Sequence, residues 1–382
     1  LKTLLEKPEP FVADWHALAG NSLREESEPQ PLAPARWDWR EVHRVLVVRL
    51  RSIGDTVLAT SSLYALRRFL PHVQIDVLLE SWVAPVLEGC ELVDNIITVE
   101  RGSTVSRARV LRRLRAERYD VAYNLHGGTT ATILTRSSGA KHRVGYYDYQ
   151  YSRLHNHAAP PASELWGTAK THSVEQQLAL LGWTGVPVSD RPPTQLAVTE
   201  KARASVAERL RAALVDEAKP LALIHPAAAF ETKQWATANF ARVAEELSAR
   251  DFDVVAIAAP NENQVVANLI ENSQARITAF TDLSLPEVTA LAARSRLFVG
   301  NDSGVAHIAA AVRVPSVVIF GSSNVAHWRP WTTITSEVVR EELPCQPCPG
   351  YTCAEFDAPE CIRRITVERV TAAINRVLEG TS

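Results

Sequence analysis

The chain has 382 residues, 46% of them hydrophobic and 22% charged, with a formal net charge of −2. That length and composition suit two ordinary globular domains and exclude a disordered chain, while the near-neutral charge gives no global case for nucleic-acid binding. No apolar run approaches the length of a bilayer span. The N-terminal LKTLLEKPEPFVADWHALAG carries acids and prolines where a signal peptide has its apolar core. The expectation is a cytoplasmic protein, with or without peripheral contact to the inner face of the cytoplasmic membrane. Residues 1–40, rich in Pro and Glu and including Trp15, Trp37 and Trp39, read as an N-terminal extension lying on the main body.

Regular structure is expected from Arg44. Residues 45–50 form a near-continuous apolar run, as in a strand buried on both faces. It feeds Arg51-Ser52-Ile53-Gly54-Asp55-Thr56, then a helix through Leu63 and Leu66 that Pro71 stops. Strands are expected at residues 73–79, 96–99 and 121–125, with a helix over 109–118. Residues 185–200 hold several prolines and read as a linker. A second series follows, with strands at 221–224, 254–257 and 277–280. His225-Pro226 begins a loop to Trp235, Pro260-Asn261-Glu262 precedes a helix, and another helix spans 285–295. Strands alternating with helices imply βαβ units, parallel sheets and an α/β fold. In such folds, ligands bind beyond the carboxyl ends of the strands, here in the cleft between two halves.

The most informative segment is RLFVGNDSGVAHIAAAVRVPSVVIFGSSNVAHWRPW, residues 296–331. It reads as strand, tight polar turn, helix, strand and Gly/Ser turn. Such a turn aims backbone N–H groups and a helix N-terminus at one point, where a phosphate is well held. Ser303 adds a hydroxyl, and His307 lies one turn up on the same helix face. The alternative is an ordinary βαβ unit in which Asp302 or Ser303 is a plain N-cap.

Two further clusters carry chemistry. Arg107, Arg109, Arg112, Arg113, Arg115 and Arg118 make a basic helix with Glu117 opposing, either a solvated face or a patch for an anionic partner. Cys345, Cys348, Cys353 and Cys361 crowd one loop-like stretch, too local for a secreted disulfide framework. Their spacing allows a four-thiolate structural zinc site, against free or redox-active thiols.

Three separated segments resemble the glycosyltransferases that include the ADP-heptose:lipopolysaccharide heptosyltransferases: VLVVRLRSIGDTVLATSSLYALRRFLP, HPAAAFETKQWATANFARVAEEL and FVGNDSGVAHIAAAVRVPSVVIFGSS. With the alternating pattern, the resemblance covers roughly residues 44–380. It implies a GT-B fold, two Rossmann-like doubly wound domains facing across a cleft. Residues 41–190 would be the N-terminal acceptor domain and 191–382 the C-terminal nucleotide-sugar donor domain. The implied activity is inverting transfer of a heptose or related sugar from ADP-heptose or a similar nucleotide sugar. The acceptor would be a lipopolysaccharide core or related anionic glycolipid, with no cofactor and no catalytic metal. The alternatives are a sugar-nucleotide epimerase of similar fold and a non-catalytic nucleotide-sugar binding protein.

By the same resemblance Asp55 is the general base. Inverting transfer needs one such group facing the anomeric carbon; the competing reading makes Asp55 a helix cap. Lys233 would sit by the donor phosphates, where charge builds as the diphosphate leaves, against a solvated surface lysine. Ser52 would lie near the donor. Ser303 and the backbone at Gly304 and Val305 would hold the diphosphate, and Asp302 the sugar hydroxyls or the loop. His307 would donate to a phosphate oxygen, or be a structural histidine. Asn261 or Glu262 would reach the ribose, or cap a helix. Ala228 and Ala229 stand where some members carry threonines before the lysine, which puts hydroxyl contacts to the donor there in doubt.

Overall fold

The computed structural model describes residues 28–348 and 351–380. Residues 1–27, with Trp15, lie outside this range. The chain builds two six-stranded sheets, all parallel. The first contains β1 (Arg44–Val48), β2 (Gln74–Glu80), β3 (Asn95–Val99), β4 (Val121–Asn124), β5 (His142–Tyr146) and β6 (His157–Ala159). Their spatial order is β3-β2-β1-β4-β5-β6. The second contains β7 (Leu221–His225), β8 (Asp253–Ile257), β9 (Ile277–Phe280), β10 (Leu297–Asn301), β11 (Ser316–Phe320) and β12 (Ser336–Arg340), in the order β12-β11-β10-β7-β8-β9. The central strands are buried on both faces, which is why they read as unbroken apolar runs.

Each sheet reverses its winding once, between β1 and β4 in the first and between β7 and β10 in the second. Such reversals leave a crevice beyond the carboxyl ends of the flanking strands. The turn after β1 carries Asp55 and the turn after β10 carries Asp302 and Ser303, so both sequence motifs sit at a switch point.

The halves meet through two helices that start in those turns, Ile53–Phe69 and Gly304–Ala311. The first buries residues around its whole circumference, as a helix packed on several sides must; besides its own sheet it packs against helix Ser173–Gly182. Glycine permits the close approach from both sides. A Cβ on Gly54 would lie 2.6 Å from His307 Cδ2, and one on Gly304 would lie 2.9 Å from Ile53 Cβ.

Further contacts tie the halves together. Ser61 donates to the Pro192 carbonyl at 2.5 Å, and the Trp331 indole donates to the same carbonyl at 3.1 Å. His172 uses both ring nitrogens. The Val174 N–H donates to Nδ1 at 3.1 Å, so Nε2 carries the proton and donates to the Arg329 carbonyl at 2.8 Å. Residues 28–41 lie along the N-terminal half: Leu32 N donates to Gly182 O, Trp39 donates to Thr184 O, and Trp37 stacks on His142.

The basic helix begins earlier than its apolar pattern suggests, at Thr104, because Ser103 caps it by accepting from Ser106 N. Part of the expected linker is also regular: Thr199 caps a helix Glu200–Ala212 by accepting from Ala202 N.

The glycine contact yields a stability prediction. Gly304→Ala places a methyl against Ile53 where neither backbone has room to yield. Overpacking of this kind typically costs about 1–3 kcal/mol, so denaturant unfolding of the variant should show that loss; an unchanged midpoint would mean the halves are not held at this distance.

Candidate active site

The first switch point is built by Arg49, Ser52, Asp55 and His126. Asp55 is the third residue of its helix, and the Ser52 backbone N–H and hydroxyl donate to its Oδ2 at 3.1 and 2.9 Å. Its capping partner is thus Ser52. Its other oxygen pairs with the Arg49 guanidinium, which also donates to the Leu125 carbonyl. Burial alone would raise the Asp55 carboxyl, but Arg49, the two Ser52 hydrogen bonds and His307 outweigh it and hold it below the ordinary carboxylate range. Asp55 therefore caps a helix and also presents an ionised oxygen to the cleft.

His126 follows β4 and lies across the crevice. Its turn is set by Asn124, whose Oδ1 accepts from His126 N and Gly127 N, and by Gly127 and Gly128 at φ +70° and +69°. Burial, with Arg49 nearby, lowers His126 to about 4, so it is neutral at ordinary pH. Its Nδ1 is buried without a partner.

The second switch point gathers Lys233, Asp302, Ser303, His307 and His225. Lys233 Nζ lies 2.8 Å from Asp302 Oδ2, to which Ser323 Oγ donates at 2.5 Å. The lysine's short turn, Glu231–Lys233, is fastened beneath by Ser322, whose N–H donates to the Thr232 carbonyl at 3.1 Å and whose hydroxyl donates to Thr232 Oγ1 at 2.9 Å. A Cβ on Gly321 would lie 2.0 Å from that carbonyl, so glycine is required there.

Ser303 Oγ lies 3.1 Å from His225 Nδ1, and burial lowers His225 to about 4. Gly304 and Val305 open the helix, where backbone N–H groups lack intrahelical acceptors. His307 is 5% exposed, with Nδ1 unpartnered, so it is not a fully satisfied core histidine. Burial lowers its pKa, although Asp302 and Asp55 pull the other way.

Beside the first switch point lies a cavity of about 300 Å³ lined by Arg49, Asp55, His126, Tyr149, Gln176 and Gln177 among others of the first half, and by His327 and Trp328 of the second. His126, Tyr149, Gln176, Gln177 and Arg49 escape a reading by motif. The glycine pair after β4 is the single local sign of a special turn.

Other candidates fall outside this arrangement. Asn261 is exposed in the short turn Pro260–Glu262, where Glu262 accepts from Ala259 N as a cap. The six arginines from Arg107 to Arg118 are all exposed, and among the described residues Arg107, Arg109, Arg112, Arg113 and Arg118 have no carboxylate partner. Cys345, Cys348, Cys353 and Cys361 are free thiols, with Cys348 Sγ turned to the Cys345 carbonyl at 3.1 Å. Among the described residues, no group of three or more His, Cys, Asp or Glu side chains is placed to hold a metal ion. No described helix is long and apolar enough to cross a membrane.

Two doubly wound parallel sheets with their switch points turned to one cleft, an ionised carboxylate on one side and a lysine with a helix N-terminus on the other, define a GT-B glycosyltransferase. The chain belongs to glycosyltransferase family 9 (heptosyltransferase), which matches residues 107–358. It is 28% identical over 301 residues to lipopolysaccharide heptosyltransferase 3 of Escherichia coli, covering 74% of this chain and 85% of that protein. Two solved structures share the fold. One is a family 9 glycosyltransferase from Veillonella parvula, with TM-score 0.78 and 21% identity over 88% of this chain and 97% of that one. The other is the ADP-heptose lipopolysaccharide heptosyltransferase II of Escherichia coli, with TM-score 0.73 and 24% identity over 89% and 100%.

The Arg49–Asp55 pair has a pH signature. Because the folded carboxyl titrates below its unfolded value of about 3.9, its stabilisation is complete above that value and is lost as pH falls through the lower folded one. The stability gap between wild type and Asp55→Asn should therefore be constant from neutrality down to about pH 5 and shrink below about pH 4. A gap that closes near neutrality would show that Asp55 is not held as a low-pKa carboxylate.

Proposed function

We propose that the protein transfers a heptose from ADP-heptose, or a closely related nucleotide sugar, to a lipopolysaccharide-core type acceptor, with inversion at the anomeric carbon. The observation that carries this reading is the apposition of the two switch points. Asp55 lines the cleft from the first half, and the start of Gly304–Ala311, with Lys233 paired to Asp302 just before it, packs against the turn that carries Asp55. The first half then takes the acceptor and the second the donor.

In this mechanism the acceptor hydroxyl gives its proton to Asp55 as its oxygen attacks the anomeric carbon. The bond from that carbon to the diphosphate breaks, and the electron pair leaves on phosphate oxygen. Lys233, Ser303 and the N–H groups at Gly304 and Val305 meet the growing negative charge. His307 and Ser52 flank the same point, and Asp302 steadies Lys233. Asp55 is the one carboxylate among the residues lining the cavity. That suits a single displacement, whereas a double displacement uses a second group as nucleophile. No cofactor is required. The ribose contact of Asn261 is the most peripheral part of this assignment, given its exposure.

The unpaired arginines of Thr104–Glu117 lie on the acceptor half. They supply a surface for the phosphates of an anionic glycolipid and for the membrane that carries it, each contributing about 1 kcal/mol near an anionic surface.

Three measurements test the reading. Asp55→Asn should slow transfer by roughly 10²- to 10⁴-fold, the usual worth of a positioned base, with ADP affinity little changed; near-full activity would remove Asp55 from the mechanism. Lys233→Ala should weaken ADP binding in calorimetry far more than AMP binding, and equal affinity of wild type and variant for ADP would sink that assignment. Turnover should be insensitive to EDTA, since the four C-terminal cysteines take no part in the chemistry; activity lost on chelation and restored by zinc would contradict this.

A further inference from the structure

The cavity beside Asp55 carries more information than the position of the base. Its ten lining residues bring one cation, Arg49, and one carboxylate, Asp55, and these are paired with each other. The remaining polar groups are uncharged. Burial pushes Tyr149 up to about 12 and lowers His126 to about 4, and it lowers His327 as well. Ser173, Gln176 and Gln177 carry no charge at any pH.

Two of these residues also hold buried polar atoms with no partner, Gln177 Oε1 and His126 Nδ1, and Gln177 is only 3% exposed. Buried polar atoms are normally paired; these two are covered by protein rather than open to the cavity, whereas the half-buried Gln176 beside them lines it.

From this arrangement we infer that the sugar ring entering the cavity is an uncharged polyol, and that phosphate or carboxylate substituents on that ring are rejected. The inference rests on the reading that the cavity receives the acceptor, and it specifies the acceptor's chemistry. A phosphate or an acidic sugar would bring its charge beside Asp55, where the single cation is already matched. Burying an anion without a partner is strongly unfavourable. Hydroxyls are donor and acceptor at once, which suits a wall of amides, a neutral imidazole and a phenol. Trp328 and Tyr149 add aromatic surface for the C–H face of a ring. The volume, about 300 Å³, is at the lower limit of small-molecule sites and suits one ring. The anionic parts of a larger acceptor then remain outside. Gln176 and His126 are the positioning residues of this subsite.

The test compares three probes in the presence of the donor: a neutral methyl heptoside, the same glycoside bearing a phosphate monoester, and the methyl glycoside of an acidic ulosonate. Each is measured as an acceptor and, with ADP bound, as a ligand by saturation-transfer NMR. The neutral glycoside should exceed both charged ones at least tenfold in kcat/KM. Equal or better use of a charged ring overturns the inference and leaves the transferase reading intact. If no probe binds while ADP still does, the cavity is not the acceptor site and both readings fall. Gln176→Leu should raise the acceptor KM at least tenfold with ADP affinity unchanged, and an unchanged KM removes Gln176 from the subsite. His126→Arg adds an unmatched cation. It should narrow or reverse the preference against the phosphorylated ring, an effect that a purely structural role for His126 would not produce.

Discussion

The approach of two helix starts, Ile53–Phe69 and Gly304–Ala311, is the constraint on which the site depends. Each sheet has one place where its winding reverses, and topology alone makes each a crevice. What turns two crevices into one site is that Gly54 leaves room for His307 and Gly304 for Ile53, so the helices leaving the crevices meet closely. Asp55 is one residue from the first glycine, and Asp302 and Ser303 immediately precede the second. The same backbone approach therefore sets the separation between carboxylate and phosphate-binding turn. Loops of this length would otherwise allow a wide range of separations.

Charge in the cleft is balanced locally. Arg49 is matched to Asp55 and Lys233 to Asp302, so each half neutralises itself before any ligand arrives. A buried pair of this kind contributes little to net stability, yet losing one partner is costly because it strands the other. The carboxylates are thus held in fixed orientations, and preorganised charge requires little rearrangement when a reaction begins. The helix N-terminus at Gly304 adds its positive field beside Asp302.

Much of this was legible in the sequence, for identifiable reasons. β1, β4, β10 and β11 are sandwiched between helix layers and so appear as apolar runs. β5, β6 and β12 lie at or near a sheet edge and carry His142, His157 and Glu337, so their pattern is weak. The helix Glu200–Ala212 buries only Ala202, Val206 and Leu210, which leaves a polar stretch that reads as linker. In the site, Asp55, Lys233, Asp302, Ser303 and His307 are visible because each lies in a compact local motif. His126, Tyr149, Gln176 and Gln177 come from three separate segments and meet only once the first sheet is wound and its helices are packed. Arg49 is hidden differently, directly after an apolar strand where a charged residue looks like its end.

His172 joins two jobs that proteins usually keep apart. One nitrogen caps the helix that carries Gln176 and Gln177, and the other reaches across to the Arg329 carbonyl of the opposite half. Only the neutral ring with its proton on Nε2 satisfies both, and burial holds its pKa at about 3. The wall of the cavity and the joint between the halves therefore share a single tautomer. Any relative rotation of the halves pulls on the first turn of the very helix that lines the cavity, so the shape of the site and the angle between the halves are mechanically one variable.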